Sequence, residues 1–366
     1  MSPDSGDHPA ANGPAGVSVV VPVRDGERWL GVVLDSILAQ DDGRPFEIIA
    51  VEDGSRDGSA NVLRRYEAAA TVRVVAGERR GAAAAINAGV RAAAHPVICQ
   101  VDQDVILDPG WLARLVAALS EPGVGAAQGY YRTDPADGWL ARVMGRDLEA
   151  RYARLNGGDT DHVCTGNAAY RAEALRQVGG FDEAMGYGYD NDMSYRLSAA
   201  GFRLVMCPEA TSVHRWRTSW RGYLAQQYGV GYGRLDVVAR HRHRFAGDAV
   251  SPAPMMAHPA LMLVAVALSL LALLASLLGR NGAVPALAAT AVVAALAVER
   301  AVVGVGTFRR FGDAAALWFP VVHLARDLAW TAAIAVWCAR RLSRRPSRPA
   351  HSMGDRRPGT RLDTSG

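Results

Sequence analysis

Lysine is absent from the chain: all 40 basic residues are arginine. Together with the abundance of alanine, that reflects a compositional bias more than a chemistry. Charge to spare is also scarce, since 40 basic against 36 acidic residues leave a net +4, much of it in the tail beyond Arg340. So mild a balance argues against nucleic acid as a partner. Cysteine is rare, and Cys99, Cys164, Cys207 and Cys338 stand far apart without a C-x-x-C pair. That argues against a zinc site and for a reduced compartment. The first sixteen residues, Met1 to Gly16, are polar and lack an apolar core. They are expected to be a disordered leader and no signal peptide, so the first apolar strand stays in the cytoplasm.

What is present is an alternation. Val17 to Val23 is an unbroken apolar run, as in a strand buried on both faces. Helical spacing comes next from Trp29 to Gln40, then a second strand from Phe46 to Val51 and a helix from Ala60 to Ala70. A third strand (Thr71 to Val75), an alanine-rich helix (Ala82 to Ala93) and a fourth strand (Val97 to Val101) complete the series. Four such repeats predict a doubly wound α/β sheet built from right-handed crossovers. Ligands on such sheets sit beyond the carboxyl ends of the strands. Three strand ends there are suggestive: Pro22-Val23-Arg24-Asp25, Glu52-Asp53-Gly54-Ser55 and Asp102-Gln103-Asp104.

Asp102-Gln103-Asp104 carries the most chemistry. Carboxylates on alternate residues of a strand tip face the same way, and like charges that close are costly unless a cation lies between them. Oxygen ligands select a hard divalent ion such as Mg²⁺ or Mn²⁺, which shares its sphere with substrate phosphates.

The last third of the chain changes solvent. Pro259 to Leu278 contains no charge over about twenty residues, enough to cross a bilayer core. Ala283 to Phe308 is a second candidate, interrupted by Glu299-Arg300, and Ala314 to Ala339 a third, with His323, Arg326 and Asp327 near its middle. Three spans would put the tail outside, yet Arg340, Arg341, Arg344, Arg345 and Arg348 are the residues that the positive-inside rule keeps in the cytoplasm. Two spans and a peripheral third segment satisfy both. The expected organisation is therefore a leader (1–16), an α/β domain (17–245), a membrane domain (255–340, with segments near 259–278, 283–308 and 314–339) and a basic disordered tail (341–366).

Seven motifs in order resemble the family 2 glycosyltransferases, which have the GT-A fold. They are V-S-V-V-V-P-V-R-D at Val17 to Asp25, V-E-D-G-S-R-D-G-S at Val51 to Ser59, G-A-A-A-A-I-N-A-G at Gly81 to Gly89 and D-Q-D at Asp102 to Asp104. T-G-N comes next at Thr165 to Asn167, then G-G-F-D-E at Gly179 to Glu183 and G-Y-D-N-D-M-S-Y-R-L at Gly188 to Leu197. The resemblance implies inverting transfer from a nucleotide-diphosphate sugar. It implies that Asp53 accepts a base N–H, with Pro22 and Arg24 around the nucleotide; Arg80 is placed either to flank the nucleotide or to stand in solvent. Asp102 matches the ribose- or phosphate-side carboxylate, and Asp104 the metal ligand. His214 stands where relatives supply a second metal or diphosphate ligand, though it is equally placed to face solvent or headgroups. Many relatives read G-E-D-x-D-L where this chain reads G-Y-D-N-D-M; Tyr189 replaces the glutamate, and Asp190 is assigned as the base. Asp192, expected at a helix start, fits an N-cap or a ligand-organising role, and Asn167 and Asp182 an acceptor-side contact or a turn-stabilising one.

Processive synthases of this family carry Q-x-x-R-W near the membrane; the corresponding stretch here, Tyr223 to Gly229, lacks it. Single-sugar transfer to a lipid-linked or glycan acceptor at the cytoplasmic membrane face is the expectation. Arg215, Arg217 and Arg221 suit a lipid phosphate or a headgroup-facing belt. Three other readings stand beside it. A polyprenyl-phosphate glycosyltransferase would need no strong base. A sugar nucleotidyltransferase would need a G-x-G-x-R-L loop, which is absent. A membrane protein with a vestigial nucleotide domain would not be expected to keep Asp53, Asp102, Asp104 and Asp190.

Overall fold

The computed structural model describes residues 16–155 and 157–343; most of the expected leader and the arginines of the tail beyond 343 lie outside them. The strands are β1 (Val17–Val23), β2 (Phe46–Glu52), β3 (Arg73–Ala76), β4 (Val97–Val101), β5 (Val105–Leu107), β6 (Val124–Arg132), β7 (Gly158–Thr160), β8 (Asn167–Arg171) and β9 (Arg203–His214). The helices of the same region are α1 (Glu27–Leu38), α2 (Ser59–Ala68), α3 (Ala82–Ala92), α4 (Trp111–Leu119), α5 (Trp139–Tyr152), α6 (Ala172–Gln177), α7 (Tyr189–Ala199) and α8 (Trp220–Arg240). Beyond them lie α9 (Ala253–Leu277), α10 (Ala283–Phe311) and α11 (Phe319–Leu342).

All nine strands join one sheet in the order β3-β2-β1-β4-β8-β6-β9-β5, with β7 paired to β9. The first four neighbours run parallel, as the buried runs and their helical crossovers require. β8 then runs antiparallel to both β4 and β6, so the sheet is mixed. One apolar core lies on the α1, α2 and α4 side, around Leu34, Ile37, Trp111 and Leu115. A second, around Ile86, Tyr170 and Met193, lies under α3, α6 and α7. Both faces are therefore covered, and the crevice at the carboxyl ends of β1, β2 and β4 is left open to ligand.

Three elements depart from the expectation in ways that shape the site. β9 extends to His214 rather than ending at Cys207, because β5 pairs with its far end and sets Val105 opposite His214. α7 starts at Tyr189 instead of Asp192, since Gly188 adopts φ +77° and turns the chain into the helix three residues earlier. α8, unexpected as a helix, runs 21 residues, capped by the Ser219 hydroxyl, which accepts from the Gly222 amide.

α9, α10 and α11 are each long and apolar enough to cross a membrane. They differ in what they touch. α9 and α10 pack on each other and expose Leu270, Leu271, Leu273, Leu274, Val284 and Leu287. α11 lies along α8 from end to end. Tyr223 Oη donates to the Val322 carbonyl (3.3 Å), Trp330 Nε1 to Gln227 (3.2 Å) and Trp337 Nε1 to Asp236 (2.8 Å). At its two ends α8 is itself fastened to the α/β part, at Ser219 beyond β9 and through His241, which meets Asp192 at 2.8 Å. Near its start, α11 brings His323 to within 3.6 Å of Asp147 on α5. A polar layer ties the three helices together: the buried His258 of α9 meets the buried Asp327 of α11 at 2.9 Å and the part-exposed Glu299 of α10 at 3.3 Å. Buried charges of this kind are paired because an unpaired one is far too costly.

Candidate active site

β1, β2 and β4 carry their strand ends to one crevice. Asp53 is 2 % exposed and accepts the backbone amides of Arg79 (2.6 Å) and Gly81 (3.0 Å). It thereby shapes the loop from 77 to 81, and Arg24 Nη1 stands 4.0 Å away. Two bonds leave part of the carboxylate's accepting capacity free for a base N–H. Gly77 is required beneath it, since a Cβ there would lie 2.8 Å from Asp53 Oδ1. Pro22, the last residue but one of β1, pairs with Val51 of β2. Arg80 is turned elsewhere: its exposed guanidinium pairs with Glu78 and Glu183, both at 2.6 Å.

The D-Q-D turn is braced from two sides. Gln103, the middle residue, accepts from the Arg24 amide (2.8 Å) and donates to the Arg24 carbonyl (2.7 Å). This bridge locks the tips of β1 and β4 together. From the other side Gln100 Nε2 donates to Asp102 Oδ1 (2.8 Å), and the Asp102 amide donates to the Gly166 carbonyl (3.3 Å). Gly166 has φ +91°, and a Cβ on it would stand 2.5 Å from Asp102 Oδ2. The T-G-N motif thus works through its glycine, which lets the backbone reach Asp102. Although part of Asp102 meets solvent, burial and then the Asp104 carboxylate push its pKa up to about 7.

The β5–β9 ladder sets His214 Nε2 3.6 Å from Asp104 Oδ1. Burial holds the imidazole below its usual pKa, which favours the neutral, metal-binding form. His214 Nδ1 is buried without a partner, and the ring packs on Tyr131 and Trp216. A carboxylate, a neutral imidazole and a second carboxylate whose ionisation is opposed by its neighbour form a donor set that fits a divalent ion.

Asp190, in the first turn of α7, accepts from the Asn191 amide (2.9 Å) and stands 3.5 Å from His162 Nε2. The sequence carried no signal for His162, a lone histidine in the loop before T-G-N. Its imidazole, the Cys164 thiol and the Asp190 carboxylate place one ligand-type atom each within 4.8 Å of one another. Burial disfavours charge on His162, but Cys164 and Asp190 outweigh it and raise its pKa. Asp190 opens into a cavity of about 280 Å³ between α5, α7, α8, the start of α9 and the middle of α11.

Three further expected residues are engaged within the fold. Asn167 is fully buried and accepts from the Trp111 indole N–H; position 167 begins β8 and faces the core. Asp192, 4 % exposed, is no N-cap: it binds Arg196 (2.7 Å) and His241 (2.8 Å). Asp182 accepts the Ala184 amide (2.9 Å) and pairs with Arg240, the turn-stabilising alternative. Of the basic trio, Arg215 is held by Asp134 (2.8 Å) and Asp137 (3.0 Å) and lies over Trp29, whereas Arg217 and Arg221 are exposed.

Residues 18–179 match the family model described as Glycosyl transferase family 2. A glycosyltransferase of Mycobacterium bovis, uncharacterised, is 34 % identical over 197 residues, covering 52 % of this chain and 82 % of that protein. The pre-mycofactocin glycosyltransferase of Mycobacterium tuberculosis is 29 % identical over 260 residues, 66 % of this chain and 51 % of its own length. The chain thus spans about half the length of that curated relative. Among solved structures, a mannosyltransferase of Pyrobaculum calidifontis in complex with GDP-Man and Mn²⁺ superposes with a TM-score of 0.58 at 22 % identity. That match covers 93 % of this chain and 91 % of the other, and establishes the shared GT-A fold.

Proposed function

Because the chain belongs to glycosyl transferase family 2, we propose that it moves one sugar from a nucleotide-diphosphate donor to a lipid-borne acceptor at the cytoplasmic membrane face, with inversion. What supports this reading is the place of Asp190. Its charge is felt at Asp102, at the end of β4, and it opens into a cavity walled by Met255 of α9 and Trp330 of α11.

In the transfer, an acceptor oxygen attacks the sugar's anomeric carbon from the face opposite the diphosphate. The bond from that carbon to the diphosphate oxygen breaks, and the nucleoside diphosphate leaves. Where the acceptor is a hydroxyl, its proton passes to Asp190 acting as base. Asp53 orients the base of the nucleotide, and a buried acceptor discriminates because an unpaired N–H there costs about 1–3 kcal/mol. Asp104 and His214 would hold Mg²⁺ or Mn²⁺, with Asp102 beside them. Bound there, the ion supplies Lewis-acid neutralisation of the leaving diphosphate. The test is a panel of radiolabelled nucleotide sugars offered to the purified chain with extracted membrane lipids. One donor labelling the lipid phase is expected; label in no lipid with any donor would remove the proposal.

The same reading includes a topology: α9 and α10 form a spanning hairpin, and α11 lies at the membrane surface along α8. What supports it is the row of α8–α11 contacts, each to a helix fastened to the catalytic part. It returns Arg340 and Arg341 to the catalytic side, as the positive-inside rule asks. A reporter fused after Gly366 should be active only in its cytoplasmic form; activity of a periplasmic reporter would overturn the topology.

A further inference from the structure

The cavity beside Asp190 contains a buried guanidinium with too few partners. Arg234, on α8, is 6 % exposed. Its Nη1 donates to Asp248 Oδ2 at 2.7 Å, but Nε and Nη2 are buried with no hydrogen-bond partner. Asp248 cannot supply them, because it already accepts from Tyr195 Oη (2.8 Å), Asn191 Nδ2 (3.1 Å) and the amides of Val250 and Ser251 (3.1 and 2.7 Å). A buried donor without an acceptor is costly, so a fold that keeps two of them on one planar fork is short of an acceptor. The same cavity is lined by Arg151 and His162. Arg151 is neutralised by Asp147 at 3.0 Å and donates to the Val250 carbonyl at 2.9 Å, so Arg234 is the arginine left with bonds to give.

A planar guanidinium fork matches two oxygens of a phosphate. Beside it the wall turns apolar: Met144, Leu148, Val230, Met255 and Trp330 come from α5, α8, α9 and α11. An anion-seeking group next to an apolar wall made by membrane-length helices suits a ligand with a phosphate at the end of a hydrocarbon chain. We infer that this cavity binds the phosphate of the acceptor, held by Arg234 with its hydrocarbon against α9 and α11. The inference rests on the glycosyltransferase reading and narrows it to acceptors that are phosphate or diphosphate esters of lipids.

The experiment uses the full detergent-solubilised chain with farnesyl phosphate, farnesol and inorganic phosphate as probes, and a nucleoside diphosphate with Mn²⁺ as the control ligand. Farnesyl phosphate is expected to raise the melting temperature and to bind at least ten-fold tighter than farnesol or inorganic phosphate. Arg234→Lys keeps the charge opposite Asp248 but loses the fork, and should weaken farnesyl phosphate at least ten-fold while nucleotide binding is unchanged. Gln226→Glu, on the cavity wall, adds a negative charge at nearly constant shape and should weaken it similarly, which covers the case of a misfolded Arg234 variant. Equal binding of farnesyl phosphate and farnesol, or no loss in either variant, overturns the phosphate site. Equal binding of farnesyl and inorganic phosphate overturns the lipid assignment. Failure of the wild-type chain to bind the nucleotide would instead strike the glycosyltransferase reading itself.

Discussion

Asp104→Ala is expected to lower both sugar transfer and donor hydrolysis by about 10³-fold or more, roughly 4 kcal/mol of transition-state stabilisation, while the melting temperature holds or rises. The two halves of that result have one cause. Asp104 sits at a strand tip where its carboxylate raises the pKa of Asp102 and where His214, at 3.6 Å, is kept neutral by burial. Without a cation the site is a repulsive arrangement, so removing one carboxylate relieves the fold. With a cation, the same carboxylate is one of the groups that would hold it. Function and stability should therefore move in opposite directions, which a merely structural aspartate would not produce. The measurement is a Mn²⁺ titration of donor hydrolysis alongside thermal melting, for wild type and variant. Full turnover of the variant in excess chelator would end the metal assignment.

The parts of this site legible in the sequence are those carried by local pattern. Val17 to Val23 and Val97 to Val101 read as buried strands because nothing polar interrupts them for long, and β1 and β4 match to the residue. Asp53 and Asp102 were legible as strand-end residues for the same reason. What failed to show was every role created by two distant segments meeting. Gln103 looked like filler between two aspartates, yet it bridges to the Arg24 backbone across 79 positions. His162 and Arg234 carry no motif and acquire meaning only from Asp190 and Asp248. Asn167 and Asp192 run the other way. Each is a polar residue in a recognisable motif, yet the first is buried at the start of β8 and the second in the first turn of α7. Motif membership marks a residue as needed; burial decides whether the substrate or the fold needs it.

Asp190→Asn should cut kcat by about 10²–10⁴-fold at saturating donor, the range a positioned base contributes, with donor KM unchanged. The substitution keeps the side chain's shape and its bond from the Asn191 amide at 2.9 Å, so geometry survives and basicity alone is lost. His162 sharpens the expectation. Its pKa is raised by Cys164 and Asp190, so it stands as a cationic partner 3.5 Å from the carboxylate, and a carboxylate is a weak base in general. A weak base contributes most where the oxygen it deprotonates is already forming its new bond, which is the case for a sugar hydroxyl at a loosely held anomeric carbon. If Arg234 holds a lipid diphosphate, the hydroxyl to be activated lies on the sugar that diphosphate carries, and the loss should be seen in full. Near-normal turnover would instead identify the nucleophile as a phosphate oxygen, already anionic and in no need of Asp190. The lipid would then be a monophosphate, and Arg234 would be gripping the reacting group itself.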